Sequence, residues 1–512
     1  MSASIRVACL AALTISVATA PALAADCAKL TKFTLNNGKV DKAELVAAGA
    51  FEAPASPFGP PPGVGPNSYK SMPAFCRVQA TLTPSSDSDI KIEVWLPAEN
   101  WNGNFDAIGN GVWAGSISYS QMADPLSRGY AVAATDTGHV GTGLDASFAV
   151  GHPEKLTDFG YRAVHEMTVA AKTLIARFYG SGPRLSLWTS CSTGGRQGLM
   201  EAYRYPDDYD GISAMAPANP MTDLMMQSLW TGYSALKDSA SALTPAKLTA
   251  VHKAYIAKCD AKDGVTDGFV SDPERCDFDP KLAQCKAKDG PDCLTSAQVE
   301  TMRAIYRGVV NPRTGERVLA GFEPGSEAQI AFLTGGPEPF PVATSYMRLI
   351  VFNDPKWDFK TFNYDTDVAR ARDTGASLLD VPSNGLANFF AGGGKLLLSH
   401  GWSDGLIPAP NTVAFYGAML AGLDQKIAAE QARLFMIPGM GHCAGGDGPF
   451  VFDVLGTIDA WASGGKAPER IEVSKPPGAQ PMTRLLCPYP QIAKYKGSGS
   501  TDDAANFDCA SP

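Results

Sequence analysis

The sequence predicts an α/β fold in which helices cover a mostly parallel sheet. Short apolar runs typical of buried strands alternate along the chain with longer segments that carry apolar residues at helical spacing. This order of strands and helices is the pattern of parallel sheets, whose crossover connections are usually helices. Hydrophobic residues make up 45% of the 512 residues, which is enough for a large core and more than one domain.

Strands and helices are clearest in the first half of the chain. Residues from Glu154 to Tyr179 carry apolar side chains at helical spacing, and Gly180 ends this helix. A second helix is predicted from Gly195 to Tyr205. Strands, two of which run into polar or glycine-rich loops, are predicted at residues 90–97, 105–115, 130–139, 184–188 and 211–218.

This alternation is interrupted by an insertion. Residues 221–380 contain polar helices, aspartate-rich loops and four of the cysteines, and the strand pattern resumes at residues 392–404 and 432–443. We therefore predict one α/β core domain formed by residues 26–220 and 381–512, with residues 221–380 inserted into it as a second domain.

Residues 1–25 are predicted to be a secretory signal peptide. Arg6 precedes an apolar run, and the ending "ALA" at residues 22–24 fits a signal-peptidase site. The alternative is a retained membrane anchor, against which the small-residue ending argues. No later stretch reaches the length of a membrane span. We expect a secreted or periplasmic protein without membrane contact after cleavage.

The cysteine content supports export. The chain has 11 cysteines, and the loss of Cys9 with the signal peptide leaves an even number, which in an exported protein predicts disulfide bonds. Zinc binding is the alternative, but there is no Cys-x-x-Cys spacing and no histidine cluster beside the cysteines.

The charge distribution excludes one class of partner. The net charge is −9, and lysine and arginine are scattered without a basic stripe. Nucleic acid is therefore not expected as a partner. The oligomeric state stays open.

The segment Ser190-Cys191-Ser192-Thr193-Gly194 joins a predicted strand to a predicted helix. A sharp turn of this kind lifts a nucleophile clear of the sheet, and the helix N-terminus favours developing negative charge. The usual signature is G-x-S-x-G, and here a small serine replaces the first glycine. Ser192 is the candidate nucleophile; the alternative is a serine that only caps the helix.

Two later loops supply candidates for the base and the acid. His442 follows the last apolar strand and Asp404 follows the strand before it, which is the chain order expected after such a nucleophile. The carboxylate would hold the imidazole tautomer and stabilise the imidazolium. Asp424 is the alternative acid, but the pattern places it at the end of a predicted helix. Each residue alone would be an ordinary cap, turn or surface residue.

Two cysteines beside these residues leave two interpretations. Cys191 precedes Ser192, and Cys443 follows His442. A Cys191–Cys443 disulfide, with Cα atoms about 4.4–6.8 Å apart, would tie the nucleophile's turn to the base's loop. The alternative is a free Cys191 thiolate acting as the nucleophile. The expected export favours the disulfide.

Three segments together resemble the tannase and feruloyl esterase family of α/β hydrolases, which includes mono(2-hydroxyethyl) terephthalate hydrolases. They are "CSTGGRQGLMEAYRYPDDYDGISAMAPA", "HGWSDGLIPAPNT" and "GMGHCAGG". The resemblance covers nearly the whole mature chain and implies an α/β-hydrolase catalytic domain with a large inserted lid domain. It implies that Ser192, Asp404 and His442 form the triad. It also implies the disulfides Cys191–Cys443, Cys27–Cys76, Cys259–Cys276, Cys285–Cys293 and Cys487–Cys509.

An ester-hydrolysis intermediate needs two N–H donors for its oxyanion. One is expected from the backbone of Thr193, the residue after the nucleophile. The other is expected from an earlier glycine-rich loop, and "GNGVWAG" at residues 109–115 offers Gly111. The alternative is that this loop is a simple tight turn.

The insertion contains an aspartate-rich loop, "CDAKDGVTDGFVSD", at residues 259–272. Carboxylates with intervening backbone carbonyls suit calcium, although the spacing is not that of an EF-hand. Composition alone favours solvated turns. The resemblance implies a structural calcium ion in the lid, held by the carboxylates of Asp260, Asp263 and Asp267 and the carbonyls of Val265 and Phe269.

Two residues are candidates for substrate contacts. The apolar and aromatic segment 344–359 is expected to line the pocket, and within it Arg348 is a candidate partner for a substrate carboxylate. A buried-core role or a surface ion pair is the alternative for Arg348. His400 matches a family position near the substrate.

The motifs predict an exported serine carboxylesterase, and the resemblance implies small aromatic esters as its substrates. Feruloyl and other hydroxycinnamoyl esters are expected first, with galloyl or terephthaloyl esters as alternatives. A non-catalytic binding module on a hydrolase scaffold is the alternative outside enzymes, and the complete candidate triad argues against it.

Overall fold

The computed structural model describes residues 26–54, 69–311 and 313–512. The predicted signal peptide therefore lies outside the described residues, as does most of a Pro-rich stretch that follows residue 54. Among the described residues, none of the helices combines the length and the apolar character needed to cross a membrane.

Strands and helices alternate along the described chain. The strands are β1 (Thr34–Leu35), β2 (Gly38–Val46), β3 (Phe75–Leu82), β4 (Ile90–Pro97), β5 (Asn104–Ile108), β6 (Ala131–Thr135), β7 (Leu185–Cys191), β8 (Gly211–Met215), β9 (Val309–Val310), β10 (Arg317–Leu319), β11 (Lys395–Gly401), β12 (Ala432–Ile437), β13 (Ile471–Ser474), β14 (Thr483–Leu486), β15 (Ile492–Tyr495) and β16 (Phe507–Ala510). The α-helices with bounds inside the described residues are α1 (Tyr119–Ser127), α2 (Pro153–Thr157), α3 (Ala163–Tyr179), α4 (Thr193–Arg204), α5 (Met221–Leu236), α6 (Pro245–Cys259), α7 (Ser296–Arg307), α8 (Glu327–Thr334), α9 (Pro341–Ser345), α10 (Asp367–Leu379), α11 (Ala387–Ala391), α12 (Ala409–Ala421), α13 (Gln425–Gln431) and α14 (Val454–Ala462).

The centre of the molecule is a ten-stranded sheet with the order β1-β2-β3-β4-β6-β5-β7-β8-β11-β12. Strands β1 to β4 are antiparallel, β4 pairs antiparallel with β6, and all pairs from β6 to β12 are parallel. The predicted α/β fold with a mostly parallel sheet is therefore confirmed. The carboxyl ends of the parallel strands meet at one edge, where ligand sites form in open α/β sheets.

Apolar side chains fill both faces of this sheet. Strands β5 and β6 are buried along their whole length, as is typical of central parallel strands covered by helices. Within β6, Ala131 and Ala133 belong to one apolar core, and Val132 and Ala134 belong to the core on the opposite face. The helix predicted from Glu154 onwards is present as α2 and α3, joined by a π-helical turn.

A long segment separates two strands that lie side by side. Strands β8 and β11 pair in parallel, and residues 216–394 between them contain helices α5 to α11 and the short β9–β10 hairpin. This segment packs on the core, since Met225 and Tyr346 share an apolar cluster with Trp113 and Phe159. The indole Nε1 of Trp113 also donates a 3.0 Å hydrogen bond to the Val342 carbonyl. The limits 221–380 of an inserted domain stay a prediction.

Candidate active site

Ser192 occupies the sharp turn between β7 and α4. Its backbone has φ 63° and ψ −126°, a left-handed conformation that a residue with a side chain rarely adopts. Two glycines make the turn possible: a Cβ on Gly194 would lie 2.0 Å from the Ser190 hydroxyl, and one on Gly195 would lie 2.7 Å from the Met215 carbonyl. The local sequence is therefore built to hold Ser192 above the sheet edge.

The structure brings Ser192, His442 and Asp404 together. The Nε2 atom of His442 lies 2.9 Å from the Ser192 hydroxyl, and its Nδ1 lies 2.7 Å from Asp404 Oδ2. Because a carboxylate only accepts hydrogen bonds, Nδ1 carries a proton and leaves Nε2 free to accept one from Ser192. The alternative acid, Asp424, instead caps α13 by accepting from the Lys426 amide.

Asp404 is held as a carboxylate in spite of complete burial. Its Oδ1 accepts hydrogen bonds from the amides of Leu406 at 2.8 Å and Ile407 at 2.9 Å. Burial alone would raise its pKa, but the electrostatic effect of the nearby His442 imidazole and the hydrogen bonds from His400 and His442 outweigh burial and hold the pKa well below the usual range. An ionised acid is therefore available to orient the imidazole.

His400 lies beside Asp404 and is fully buried. Its Nε2 lies 3.1 Å from both Asp404 Oδ2 and the Ile407 carbonyl. Its Nδ1 lies 2.8 Å from the Thr412 hydroxyl. Both ring nitrogens are thus engaged, and Nε2 donates because its two partners only accept. The predicted substrate contact of His400 is corrected to a contact with the acid.

Arg348 is also engaged elsewhere. Its terminal nitrogens donate to both carboxylate oxygens of Glu338 at 2.8 and 2.9 Å, and its Nε donates to the Trp357 carbonyl at 2.9 Å. A bidentate arginine–carboxylate pair of this kind uses the donors that a substrate carboxylate would need. The structure thus places Arg348 in an ion pair, the alternative that the sequence offered, within the segment between β8 and β11.

Cys191 is bonded to Cys443, with a Cα–Cα distance of 6.0 Å. The residue before Ser192 is therefore linked to the residue after His442, and Cys191 has no free thiolate to act as a nucleophile. The other disulfides follow the pairing that the resemblance implies: Cys27–Cys76, Cys259–Cys276, Cys285–Cys293 and Cys487–Cys509.

Removing the Cys191–Cys443 bond is expected to lower kcat more than KM. Replacing both cysteines with alanine frees two loops that lie 252 residues apart in sequence. A misplacement of reacting groups by 1 Å costs on the order of 10²-fold in rate. Loop entropy adds an upper loss of about 5 kcal/mol in the free energy of unfolding. Steady-state kinetics and thermal unfolding measure the two effects.

The matched control is the double alanine variant of Cys285 and Cys293, whose separation is only 8 residues. It is expected to lose about 2–3 kcal/mol of stability and to keep its kcat. Equal losses of kcat in the two variants, measured where both are folded, would show that the Cys191–Cys443 bond has no special part in positioning the site.

The glycine-rich loop after β5 lies against the start of α4. The hydroxyl of Thr193 donates to the Val112 carbonyl at 2.8 Å, and a Cβ on Gly109 would lie 2.6 Å from the Gly194 Cα. A Cβ on Gly111 would meet no atom within 4 Å, so the backbone there borders open space. The loop is held by Gln197, whose Oε1 accepts from the Asn110 amide at 3.0 Å.

Sequence reasoning missed Gln329, a residue of the insertion that joins two loops of the site. From helix α8, its Oε1 accepts from the backbone amide of His442 at 2.6 Å and from that of Gly405 at 3.2 Å. One side chain thus fixes the backbone next to both the base and the acid. No pattern in the sequence marks it, because Gln329 lies 113 residues before His442.

Backbone amides of the aspartate-rich loop orient two of its carboxylates. Asp260 accepts from the amides of Asp267 and Gly268, and Asp263 accepts from those of Val265 and Ser271. Each of these two carboxylates is therefore oriented by its own loop.

Asp267 is less well satisfied than these two carboxylates. Its Oδ2 contacts Arg484, while its buried Oδ1 has no hydrogen-bond partner within the described part of the chain. Burial raises its pKa to about 6, against the charge of Arg484 and with the help of the charges of Asp263 and Asp260. The unpartnered Oδ1 of Asp267 is available as an oxygen ligand for a cation, although ligand atoms of Asp260, Asp263 and Asp267 do not all lie within 4.8 Å of one another in this structure.

Comparisons with known proteins agree with this geometry. Residues 76–510 match the family model described as tannase and feruloyl esterase. The chain belongs to the tannase and feruloyl esterase family. This family member is 38% identical to an uncharacterized esterase of Xanthomonas campestris, covering 98% of this chain and 93% of the relative. It is 32% identical to a probable feruloyl esterase B-2 of Aspergillus terreus, covering 88% of each chain.

Solved structures show the same fold. Feruloyl esterase B of Aspergillus oryzae superposes on this esterase with a TM-score of 0.88 at 30% identity, covering 95% of this chain and all (100%) of the other. Tannin acyl hydrolase of Aspergillus niger superposes with a TM-score of 0.79 at 22% identity, covering 96% of each chain, and shows the fold alone. The α/β-hydrolase fold and the assignment as a carboxylic ester hydrolase are thereby confirmed.

Proposed function

We propose that this esterase cleaves esters of aromatic carboxylic acids, feruloyl esters first, through a triad of Ser192, His442 and Asp404. The hydrogen-bonded chain from the Ser192 hydroxyl through the imidazole to the buried carboxylate carries the proposal. The substrate class is supported by two relatives that are named feruloyl esterases and cover most of the chain.

The proposed reaction has two steps. In the first, His442 Nε2 takes the Ser192 proton while the hydroxyl oxygen attacks the ester carbonyl, and the proton then passes to the departing alcohol. In the second, His442 takes a proton from water, which attacks the acyl-enzyme; the acid is released and Ser192 regains its proton. Asp404 stabilises the imidazolium and stays ionised throughout.

The oxyanion of each intermediate is proposed to bind two backbone N–H groups. Thr193 begins α4, so its amide is one of the unpaired N–H groups at a helix N-terminus. Gly111 offers the second amide from the loop that lies against this turn, where the space beside its backbone is open. Each donor of this kind contributes on the order of 10²–10³-fold in rate.

A panel of esters tests the substrate class. Methyl ferulate is expected to be hydrolysed with the highest kcat/KM, above methyl gallate and a terephthalate monoester. Ordering of the three by kcat/KM identifies the preferred acid, and a higher value for gallate or terephthalate would replace the feruloyl assignment. Absence of hydrolysis on all three and on simple phenyl esters would favour the binding-module alternative instead.

Export is proposed on independent grounds. The five disulfides suit an oxidising compartment, since structural disulfides are rare in the cytosol. The predicted signal peptide at residues 1–25 agrees with this interpretation. Residues 221–380 are proposed to act as a lid over the site, because Gln329 and Trp113 already connect them to its loops.

Calcium is proposed to stabilise the insertion. The carboxylates of Asp260, Asp263 and Asp267 and the carbonyls of Val265 and Phe269 would hold it, and bound calcium would offset the repulsion among the carboxylates. Removing calcium with EGTA is expected to lower Tm by several degrees, because a ligand at a hundredfold excess over its Kd contributes about 2.7 kcal/mol. Differential scanning calorimetry measures the shift.

Restoration distinguishes calcium from a general salt effect. Calcium is expected to restore Tm and magnesium is not, because magnesium demands a smaller octahedral site. The Asp263→Asn variant is expected to start at a lower Tm and to respond little to EGTA. An unchanged Tm of the wild type after chelation would contradict the calcium site.

A further inference from the structure

A second group of ionisable side chains lies away from Ser192, on and beside helices α3 and α4. His165 comes from α3, Glu201 from α4 and Asp208 from the loop between α4 and β8. One potential ligand atom from each lies within 4.8 Å of the other two, and within the described residues no other group of three histidine, cysteine or acidic side chains meets this criterion. His165 Nδ1 lies 2.7 Å from Asp208 Oδ2.

Glu201 is the member that ordinary structure does not explain. It is 1% exposed, and neither of its carboxylate oxygens has a hydrogen-bond partner within the described part of the chain. A buried carboxylate without a partner is costly, so native proteins pair such groups, protonate them or use them to bind metal. Burial, the charge of Asp208 and close contact with the Asp208 carboxyl raise the pKa of Glu201 well above its usual range, and the charge of Lys172 opposes them.

We propose that His165, Glu201 and Asp208 bind a divalent first-row transition metal ion of the zinc type. One imidazole and two carboxylates form a mixed nitrogen–oxygen donor set. Such a set suits zinc, whereas calcium and magnesium prefer oxygen ligands alone. The ion would add its charge to that of Lys172, which by itself does not offset the burial of Glu201. It would also replace the single contact between His165 and Asp208 by bonds from both to one centre.

The surroundings fit a site that is open on one side. The side chains of His165 and Asp208 are 28% and 14% exposed, which gives an ion a path to buried Glu201 and leaves room for water as a further ligand. The His165 ring stacks on Tyr205 at 3.6 Å with an interplanar angle of 7°, which fixes the imidazole plane. Lys172 donates to the backbone carbonyl of Asp208 rather than to a carboxylate.

The position of this cluster gives the ion a structural part rather than a catalytic one. Glu201 lies nine residues after Ser192, about 14 Å along α4 at 1.5 Å per residue. The ion would join α3 to the far end of the nucleophile's helix and to the loop that enters β8. We therefore expect it to change stability strongly and kcat little.

Zinc binding by the chelator-stripped esterase tests this site. Excess calcium is kept present to occupy the aspartate-rich loop. Wild type is expected to retain one equivalent of zinc per chain after gel filtration, measured by mass spectrometry of the metal, and to gain several degrees in Tm. Cobalt in place of zinc is expected to give visible absorption that is absent from His165→Ala.

Three variants make the outcome decisive. His165→Ala and the isosteric Glu201→Gln are expected to lose the zinc equivalent and the gain in Tm. His152→Ala is the matched control and is expected to bind zinc like the wild type. His152 forms a 2.7 Å contact with Asp87, and this pair has no second carboxylate to complete a metal site within the described residues. Retention of zinc by His165→Ala overturns the site. Absence of bound zinc from the wild type overturns the site. If Glu201→Gln is then at least as stable as the wild type, a proton shared between Glu201 and Asp208 takes the place of the ion.

Discussion

Replacing Ser192 with alanine is expected to lower kcat on aromatic esters by a factor on the order of 10⁶, with little change in KM. The variant keeps the backbone turn, the disulfide and His442, so it removes only the attacking oxygen. A residual rate above that of water is expected, because oxyanion donors and substrate binding remain. Steady-state kinetics with methyl ferulate measure the loss, and circular dichroism checks the fold.

The neighbouring Ser190→Ala variant is the matched control. It removes a hydroxyl from the same strand end, but Ser190 makes no side-chain hydrogen bond to His442, which bonds Ser192 instead. We expect kcat within about threefold of wild type, because substitutions away from a reacting group have small effects. A Ser192→Ala variant that keeps a tenth of wild-type activity would refute Ser192 as the nucleophile.

The second large effect is expected for Asp404→Asn, which should lower kcat by about 10⁴-fold. The asparagine oxygen would take the place of Oδ1, where the amides of Leu406 and Ile407 donate. Its NH₂ group would then point at His442 Nδ1 and His400 Nε2, where a carboxylate now accepts. His442 would have to accept at Nδ1 and carry its proton on Nε2, so it could not take the proton of Ser192.

Asp424→Asn is the control for this prediction. Asp424 caps α13 through the Lys426 amide, and asparagine caps a helix as well as aspartate does. Its kcat is expected to match the wild type. Loss of activity in Asp424→Asn with retention in Asp404→Asn would assign the acid to the alternative that the sequence left open.

Local pattern explains which parts of the structure could be predicted from the sequence. The strand at Ile90–Pro97 and the turn at Ser192 depend on residues close in sequence, and both are where the pattern places them. Asp404 and His442 are brought to Ser192 because they follow neighbouring parallel strands, whose carboxyl ends share one edge. The fold class and the candidate triad therefore followed from periodicity, turn chemistry and chain order.

The failures concern side chains whose partners are distant or unmarked. For Arg348 the sequence offered a substrate contact or an ion pair, and only the structure shows that Glu338 and the Trp357 carbonyl are its partners. His400 lies near the end of β11, where successive side chains point to opposite faces of the sheet. Its side chain is buried and contacts Asp404 and Thr412. Neither outcome has a signal in composition or spacing.

The amide oxygen of Gln329 has a consequence for how this esterase can be altered. Because it bonds the backbone beside both His442 and Asp404, the segment that carries it is not a detachable module on an independent catalytic unit. Exchanging the insertion for that of a relative, in order to change substrate preference, also exchanges a support of the base and acid loops. We therefore expect that a chimera must supply an equivalent acceptor at this point to keep its rate.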